Sequence, residues 1–278
     1  MHLLDRPVLK PDHRIAYGND PVQFGDLWLP ASALREPAPL LVFFHGGWWK
    51  SAYDLGYAGY FCRTLREAGI AVWSVEYRRR GETGGGWPTT FQDAASGFDF
   101  AASLKTSYPL DLSRVVVAGH SAGGHLAFWI AGRQHLEPTS SIYLPRPQLS
   151  LRGAIGLAGA VDLRLTIELA GDGPFAHDRD EVFGLMGGSP TEHPDRYRNG
   201  NPGDLLPLAC RQILLQGTVD DQIPAALPAR WASLAHSCGS HATVYMLPGA
   251  DHFDLVDPES PVWPQVMTNF QRAFEQGH

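Results

Sequence analysis

The strongest constraint on the fold is an alternation along the chain. Six short apolar runs recur: Leu40–Phe44, Ile70–Glu76, Arg114–Gly119, Gly153–Leu157, Gln212–Gln216 and Thr243–Leu247. Each is about the length of a strand and too short for an isolated buried helix. Between them lie longer stretches with apolar residues at helical spacing, at about Leu55–Ala68, Phe91–Ser107, Ala122–Gln134, Ala225–Ser237 and Pro261–Glu275. Strands alternating with helices build a largely parallel sheet covered on both faces. Earlier, Val22–Leu29 reads as an antiparallel edge strand closed by Pro30. One region breaks the pattern. Residues 162–207 are rich in Gly, Pro, Asp and Arg and hold no strong strand. A structureless loop of that length is unusual inside a compact domain. The region is therefore expected to be a small cap insertion with short helices near Glu181–Met186 and Pro194–Arg198. It either covers a substrate or decorates the surface. Residues 1–278 are expected to form a single domain.

Composition narrows the functional classes. Hydrophobic residues make up 44% and charged residues 18% of the 278 residues. That is ample material for one core and excludes a disordered chain. No apolar run approaches the roughly 18 residues of a membrane helix, and the first residues lack the apolar stretch of a signal peptide. A cytoplasmic protein with no membrane partner is expected. The net charge of −7 supplies no basic face for nucleic acid. Arg78–Arg80 reads as a local ion-pair cluster, with Glu76 paired to one of its arginines. Cys62, Cys210 and Cys238 are odd in number and widely spaced, which suggests three buried reduced thiols rather than a disulfide framework or a zinc site. A monomer and a homodimer are both open, since the Val22–Leu29 edge could pair with another copy.

The chemistry concentrates in Gly119-His120-Ser121-Ala122-Gly123, a G-x-S-x-G pattern. Alone it is a common pattern in a glycine-rich chain. Its context is specific: Val115–Val117 form a β-branched strand before it, and a helical apolar pattern follows. A strand, a tight turn and a helix make a nucleophile elbow, with the Ser121 hydroxyl exposed at the carboxyl end of the sheet. A serine hydroxyl needs a base to take its proton, and imidazole is the side chain suited to that near neutrality. An acid must orient the ring. In this architecture the order is serine, acid, histidine. Asp220 follows the strand Gln212–Gln216 in GTVDDQIP, and His252 follows the last strand in PGADHFD. The adjacent Asp221 is a weaker candidate for the acid. Asp251 reads as a loop hydrogen-bond partner and His125 as a structural or pocket-lining residue.

The third component is His45-Gly46-Gly47-Trp48-Trp49, directly after the strand Leu40–Phe44. Glycines there allow backbone N–H groups to approach a substrate carbonyl. Gly47, Trp48 and Ala122 are the expected oxyanion donors. His45, Gly46, Trp49, Trp87, His120 and Phe253 are candidates for lining an apolar acyl or aryl pocket, against the plainer reading that the tryptophans pack the core. The Gly84–Gly86 run lacks the Lys-Ser/Thr of a phosphate loop.

HGGWW, GHSAGGH, GTVDDQIP and GADHF occur in an order that resembles the α/β-hydrolases, within them the serine esterases with an HGGxW oxyanion loop. The resemblance spans residues 45–252. It implies a mostly parallel eight-stranded sheet with a small cap insertion, acyl transfer through Ser121, Asp220 and His252, and no cofactor or metal. It also implies a small-molecule ester as substrate. Two branches share these landmarks, the bacterial carboxylesterases and the arylformamidases of the kynurenine-formamidase type. A Trp stands where the commoner HGGG loop has its third Gly, which argues against the hormone-sensitive-lipase branch. A third possibility, a non-catalytic ligand-binding relative, is disfavoured because all three triad residue types are present.

Overall fold

The computed structural model describes residues 3–145 and 149–275. Eight strands form one sheet: β1 (His13–Ala16), β2 (Phe24–Trp28), β3 (Ala38–Phe44), β4 (Ala71–Val75), β5 (Leu110–His120), β6 (Leu151–Leu157), β7 (Arg211–Gly217) and β8 (Ala242–Leu247). Their spatial order is β1-β2-β4-β3-β5-β6-β7-β8. β1 and β2 run antiparallel to their neighbours, and every pairing from β4 to β8 is parallel. This is the α/β-hydrolase fold.

The helices are α1 (Gly59–Glu67), α2 (Thr89–Leu104), α3 (Ala122–Gly132), α4 (Leu163–Ala170), α5 (His177–Met186), α6 (Pro194–Gly200), α7 (Leu227–Ser237) and α8 (Trp263–Phe274). Alternate strand residues face opposite sides of the sheet, so the central strands feed two separate cores. Leu40, Val42, Phe44, Val115 and Val117 pack with residues of α2, α3 and α7. Leu41, Phe43, Val116, Ala118 and Ile155 pack on the other face with residues of α1 and α8. Because the central strands are covered on both faces, they read as continuous apolar runs rather than alternating ones.

Four expectations are corrected. Val22–Leu29 is not the sheet edge: β2 is paired on both sides, and the short β1, which carries His13 and Arg14, is the outer strand. β1 escaped notice because four residues with two charged or polar side chains give no apolar period. The predicted Leu55–Ala68 helix is a single 3-10 turn, Leu55–Ala58, followed by α1; Asp54 caps the turn by accepting from the Gly56 amide at 2.8 Å. Residues 162–207 hold three α-helices and a short 3-10 turn (Pro202–Leu205) rather than the one or two helices expected, with Asp162 capping α4 by accepting from the Leu165 amide. Of the three thiols only Cys62 is buried; Cys210 is half-buried and Cys238 exposed, and all are free.

The insertion is anchored on the helix that follows the elbow. His125 Nε2 donates to the Gly200 carbonyl at 2.9 Å, and Trp129 Nε1 donates to Asn199 O at 2.9 Å. Burial pushes His125 down to about 4, so the ring is neutral and packs between Trp49 and Phe91. Glu181 of α5 ties the insertion to Lys50 and Arg80. The three consecutive arginines form the expected cluster: Arg78 pairs with Asp93, Arg79 with Glu82 and Arg80 with Glu181.

Candidate active site

β5 ends at His120 and α3 begins at Ala122, leaving Ser121 alone in the turn. Its φ of 54° and ψ of −122° lie where residues with a side chain rarely sit. Close backbone packing holds that strain. A Cβ on Gly119 would lie 2.0 Å from the Gly123 carbonyl oxygen, and one on Gly123 would lie 2.0 Å from the Phe44 carbonyl oxygen. No side chain fits at either place, which is why glycines flank the serine. The Ser121 amide donates to Leu157 O at 2.9 Å, fixing the turn to β6. Among the described residues, four non-glycine positions have positive φ: Trp48, Trp49, Ser121 and Ala158. All four follow the carboxyl ends of β3, β5 and β6, so backbone strain is concentrated at one end of the sheet.

Asp220 and His252 come together from the loops after β7 and β8. His252 Nδ1 lies 3.0 Å from Asp220 Oδ2 and 3.1 Å from Oδ1. The carboxylate also accepts from the Gln222 amide at 2.8 Å, the Ile223 amide at 2.9 Å and Gln216 Nε2 at 2.8 Å. Burial works to raise this carboxyl, but the hydrogen bond and charge of His252, with the two amides, outweigh it and hold the group below its ordinary range. It is therefore ionised at neutral pH and keeps the hydrogen on Nδ1. The other ring nitrogen, Nε2, is left for the cavity that His252 shares with Ser121. Asp221 is exposed and, among the described residues, its side chain bonds only to that of the neighbouring Gln222.

The loop after β3 is clamped at several points. His45 is fully buried; its Nδ1 donates to Gly46 O at 2.8 Å and its Nε2 lies 2.8 Å from Glu76 Oε1. Tyr77 donates its hydroxyl hydrogen to His45 O at 2.8 Å. Glu76 is thus shared between His45 and Arg79, with Arg79 Nη1 at 3.3 Å, rather than paired with an arginine alone. Burial disfavours its charge, yet His45 and Arg79 pull its carboxyl below the ordinary value. Gly46 lies tight against the elbow, since a Cβ there would sit 2.9 Å from Ser121 Cβ. Gly47, with φ of 108°, needs glycine because a Cβ would also strike Tyr53 at 2.4 Å. Among the described residues none accepts a hydrogen bond from the Gly47, Trp48 or Ala122 amides. For Ala122 this is the ordinary condition of a first helical residue.

A cavity of about 50 Å³ opens at these groups, lined by Gly47, Trp48, Tyr57, Ser121, His252 and Phe253 among others. Other anticipated lining residues lie elsewhere. Trp49 is fully buried behind Trp48 and stacks edge-on against His125. Trp87 packs on Phe91 and lines a separate surface cavity with Glu137, Asp195 and Asn199. For Trp87 the plain packing reading describes its position. His120 touches the cavity but is committed to two hydrogen bonds. Tyr57, Gln216 and Gln222 escaped the sequence reading. A glutamine ending the apolar run QILLQ was the one local signal among them. Tyr57 meets the site only through the fold.

Residues 26–230 match the BD-FAE family model. Esterase LipC of Mycobacterium tuberculosis (strain ATCC 25618 / H37Rv) is 29% identical over 88% of the chain and 60% of its own length. The isoprenylcysteine alpha-carbonyl methylesterase ICME of Arabidopsis thaliana is 25% identical over 87% of the chain and 56% of its own length. The chain thus spans little more than half the length of these curated relatives. Among solved structures, esterase B of Lactobacillus rhamnosis (HN001) superposes with a TM-score of 0.79 at 22% identity, covering 96% of the chain and 87% of that protein.

Proposed function

The chain belongs to the BD-FAE family, and on that basis we propose that it is a serine esterase hydrolysing carboxylic esters of small to medium organic molecules. The observation that carries the proposal is the buried Asp220–His252 pair opening, with the strained Ser121, onto one cavity beside the Gly47, Trp48 and Ala122 amides, which have no partner among the described residues. The relatives bear esterase names, which favours an ester over the formamide alternative.

In the proposed reaction Ser121 Oγ attacks the ester carbonyl carbon while His252 Nε2 accepts the hydroxyl proton. The carbonyl oxygen becomes an oxyanion held by the Gly47, Trp48 and Ala122 amides. Loss of such a donor typically costs about 2.7–4 kcal/mol. Asp220 stabilises the imidazolium through Nδ1. His252 then hands the proton to the leaving alkoxide, and the C–O bond breaks to give an acyl-enzyme. Water attacks with the same assistance, releasing the acid and restoring Ser121. The cavity is small and apolar residues such as Trp48 and Phe253 help to line it, which favours a short acyl chain with the alcohol part outside. The 162–207 segment backs Trp48, which lines this cavity, since the His177 ring lies edge-on to Trp48 at 6.0 Å between centroids. The three free thiols fit a cytoplasmic setting. The working state is a monomer or a homodimer, the latter having the β8 edge open to it.

The test is stopped-flow hydrolysis of p-nitrophenyl acetate and butyrate. A p-nitrophenolate burst equal to the enzyme concentration, absent in Ser121→Ala, supports the acyl-enzyme. Equal turnover in the two proteins would refute it.

A further inference from the structure

Two polar residues beside the cavity take no part in the steps above, yet every hydrogen-bonding atom they carry is used. Tyr57 stands in the Leu55–Ala58 turn. Its hydroxyl oxygen accepts from the Gly46 amide at 2.7 Å and lies 2.8 Å from His120 Nδ1. Across the same ring, His120 Nε2 lies 3.0 Å from the carbonyl oxygen of His252. The direction of this chain follows from its chemistry. A carbonyl only accepts, so the hydrogen sits on Nε2. Burial, helped by the neighbouring His252, pushes His120 down to about 3, so the ring is neutral and Nδ1 offers a lone pair. The Tyr57 hydroxyl must then donate to Nδ1, and burial pushes that phenol up so that its hydrogen stays in place. The path reads Gly46 N–H to Tyr57 O–H to His120, and His120 Nε2–H to the His252 carbonyl.

The ends of that path are the two loops that acyl transfer needs in register. Gly46 follows β3 and precedes the oxyanion amides; His252 follows β8, with β5, β6 and β7 between them in the sheet. The middle of the path is His120, the last residue of β5 and the neighbour of Ser121. Both loops are therefore referenced to the strand that carries the nucleophile. We propose that Tyr57 and His120 are positioning residues, which together set the spacing between the oxyanion amides after Gly46 and the imidazole of His252. The inference rests on the serine-hydrolase reading of the same site. It assigns these groups no contact with the reacting atoms.

Tyr57→Phe is the decisive variant. It keeps the ring that packs edge-on against His120 at 5.8 Å and Phe253 at 6.4 Å, and deletes only the hydroxyl. Misplacement on the ångström scale costs up to about 100-fold, so kcat for p-nitrophenyl butyrate should fall by about 10- to 100-fold with KM unchanged. His120→Ala should do the same. His120→Gln, whose amide can still donate toward the His252 carbonyl, should recover part of the loss. Because the two residues form one path, Tyr57→Phe combined with His120→Ala should lose little more than the worse single variant. A merely structural role would lower the melting temperature and leave kcat per titrated active site intact, and that result overturns the proposal, as do independent, additive losses. A second measurement does not depend on turnover. Histidine 15N NMR between pH 5 and 8 should show His120 neutral with the hydrogen on Nε2, and its Nδ1 resonance should move in Tyr57→Phe. A protonated ring or the opposite tautomer overturns the wiring even if the protein is an active esterase. A missing burst in the wild type overturns the esterase reading instead.

Discussion

Asp220→Asn isolates the acid's role from its role in packing. The carboxylate has five contacts: two backbone amides, the Gln216 side chain and both approaches of His252 Nδ1. An asparagine can keep its oxygen on the Gln222 and Ile223 amides. Its new NH₂ then occupies the place of Oδ2, facing Gln216 Nε2 and His252 Nδ1. Gln216 can adapt, because among the described residues its Oε1 has no hydrogen-bond partner and the amide can turn over to accept. His252 meets a donor at its shorter contact, 3.0 Å, while the kept oxygen at 3.1 Å is already taken by the Gln222 and Ile223 amides, so Nδ1 is expected to turn acceptor with the hydrogen moving to Nε2. That tautomer has no lone pair toward Ser121. A correctly folded enzyme with the wrong tautomer loses about 10⁴ in kcat, or about 5.4 kcal/mol of transition-state stabilisation. The assay is the burst and steady-state rate on p-nitrophenyl acetate at pH 7.5, with circular dichroism to show that the fold survives. Asp221→Asn serves as the control and should leave the rate near that of the wild type, since Asp221 is exposed. An Asp220→Asn enzyme within tenfold of the wild type would falsify the tautomer argument, and a large loss in Asp221→Asn would transfer the role.

Asp178 of α5 is buried and, among the described residues, neither of its oxygens has a hydrogen-bond partner; the His177 ring Nε2 lies 3.2 Å from Oδ1. Burial first, then the charges of Glu181 and Asp220, raise its carboxyl to about 7. A raised folded-state value means the folded protein prefers the protonated form, so the stability that this carboxyl contributes is lost as pH climbs from about 4 through 7. Asp178→Asn should therefore raise the melting temperature at pH 8, by a gain on the order of 1–4 kcal/mol, and change it little at pH 4.5; equal shifts at both pH values would contradict this. Gly123→Ala puts a Cβ 2.0 Å from the Phe44 carbonyl oxygen and should cost more than about 4 kcal/mol or prevent folding, read by urea unfolding or recovery of soluble protein. Trp87→Ala should leave KM for aryl and alkyl esters unchanged, because Trp87 lines a different cavity; a KM change specific to aryl esters would return it to the substrate site.

Much of the fold was legible because its signals are local. Strands such as Leu41–Phe44 are covered on both faces, so each of their residues is apolar and the run stands out without any knowledge of its neighbours. The elbow was legible for a related reason. Gly119 answers a steric demand set by Gly123 within five residues, and the strained φ of Ser121 lies between them, although Gly123 itself is held to glycine by the distant Phe44 carbonyl. Asp220 and His252 could be picked out because parallel strands deliver every following loop to the same end of the sheet. β1 was not legible: its pairing partner, not its own composition, makes it a strand. Nor were the partners of polar side chains. Glu76 sits among arginines in sequence, but His45 comes from β3's loop and takes one oxygen. Trp49 and Trp87 look alike beside the predicted site, yet one is sealed against His125 and the other opens onto a separate surface. Tyr57 meets Gly46, 11 residues before it, and His120, 63 residues after it, only because the fold brings the three segments together. Local sterics and burial period are written residue by residue in the chain. The partners of polar groups are chosen by long-range packing, and that choice exists only once the sheet has closed.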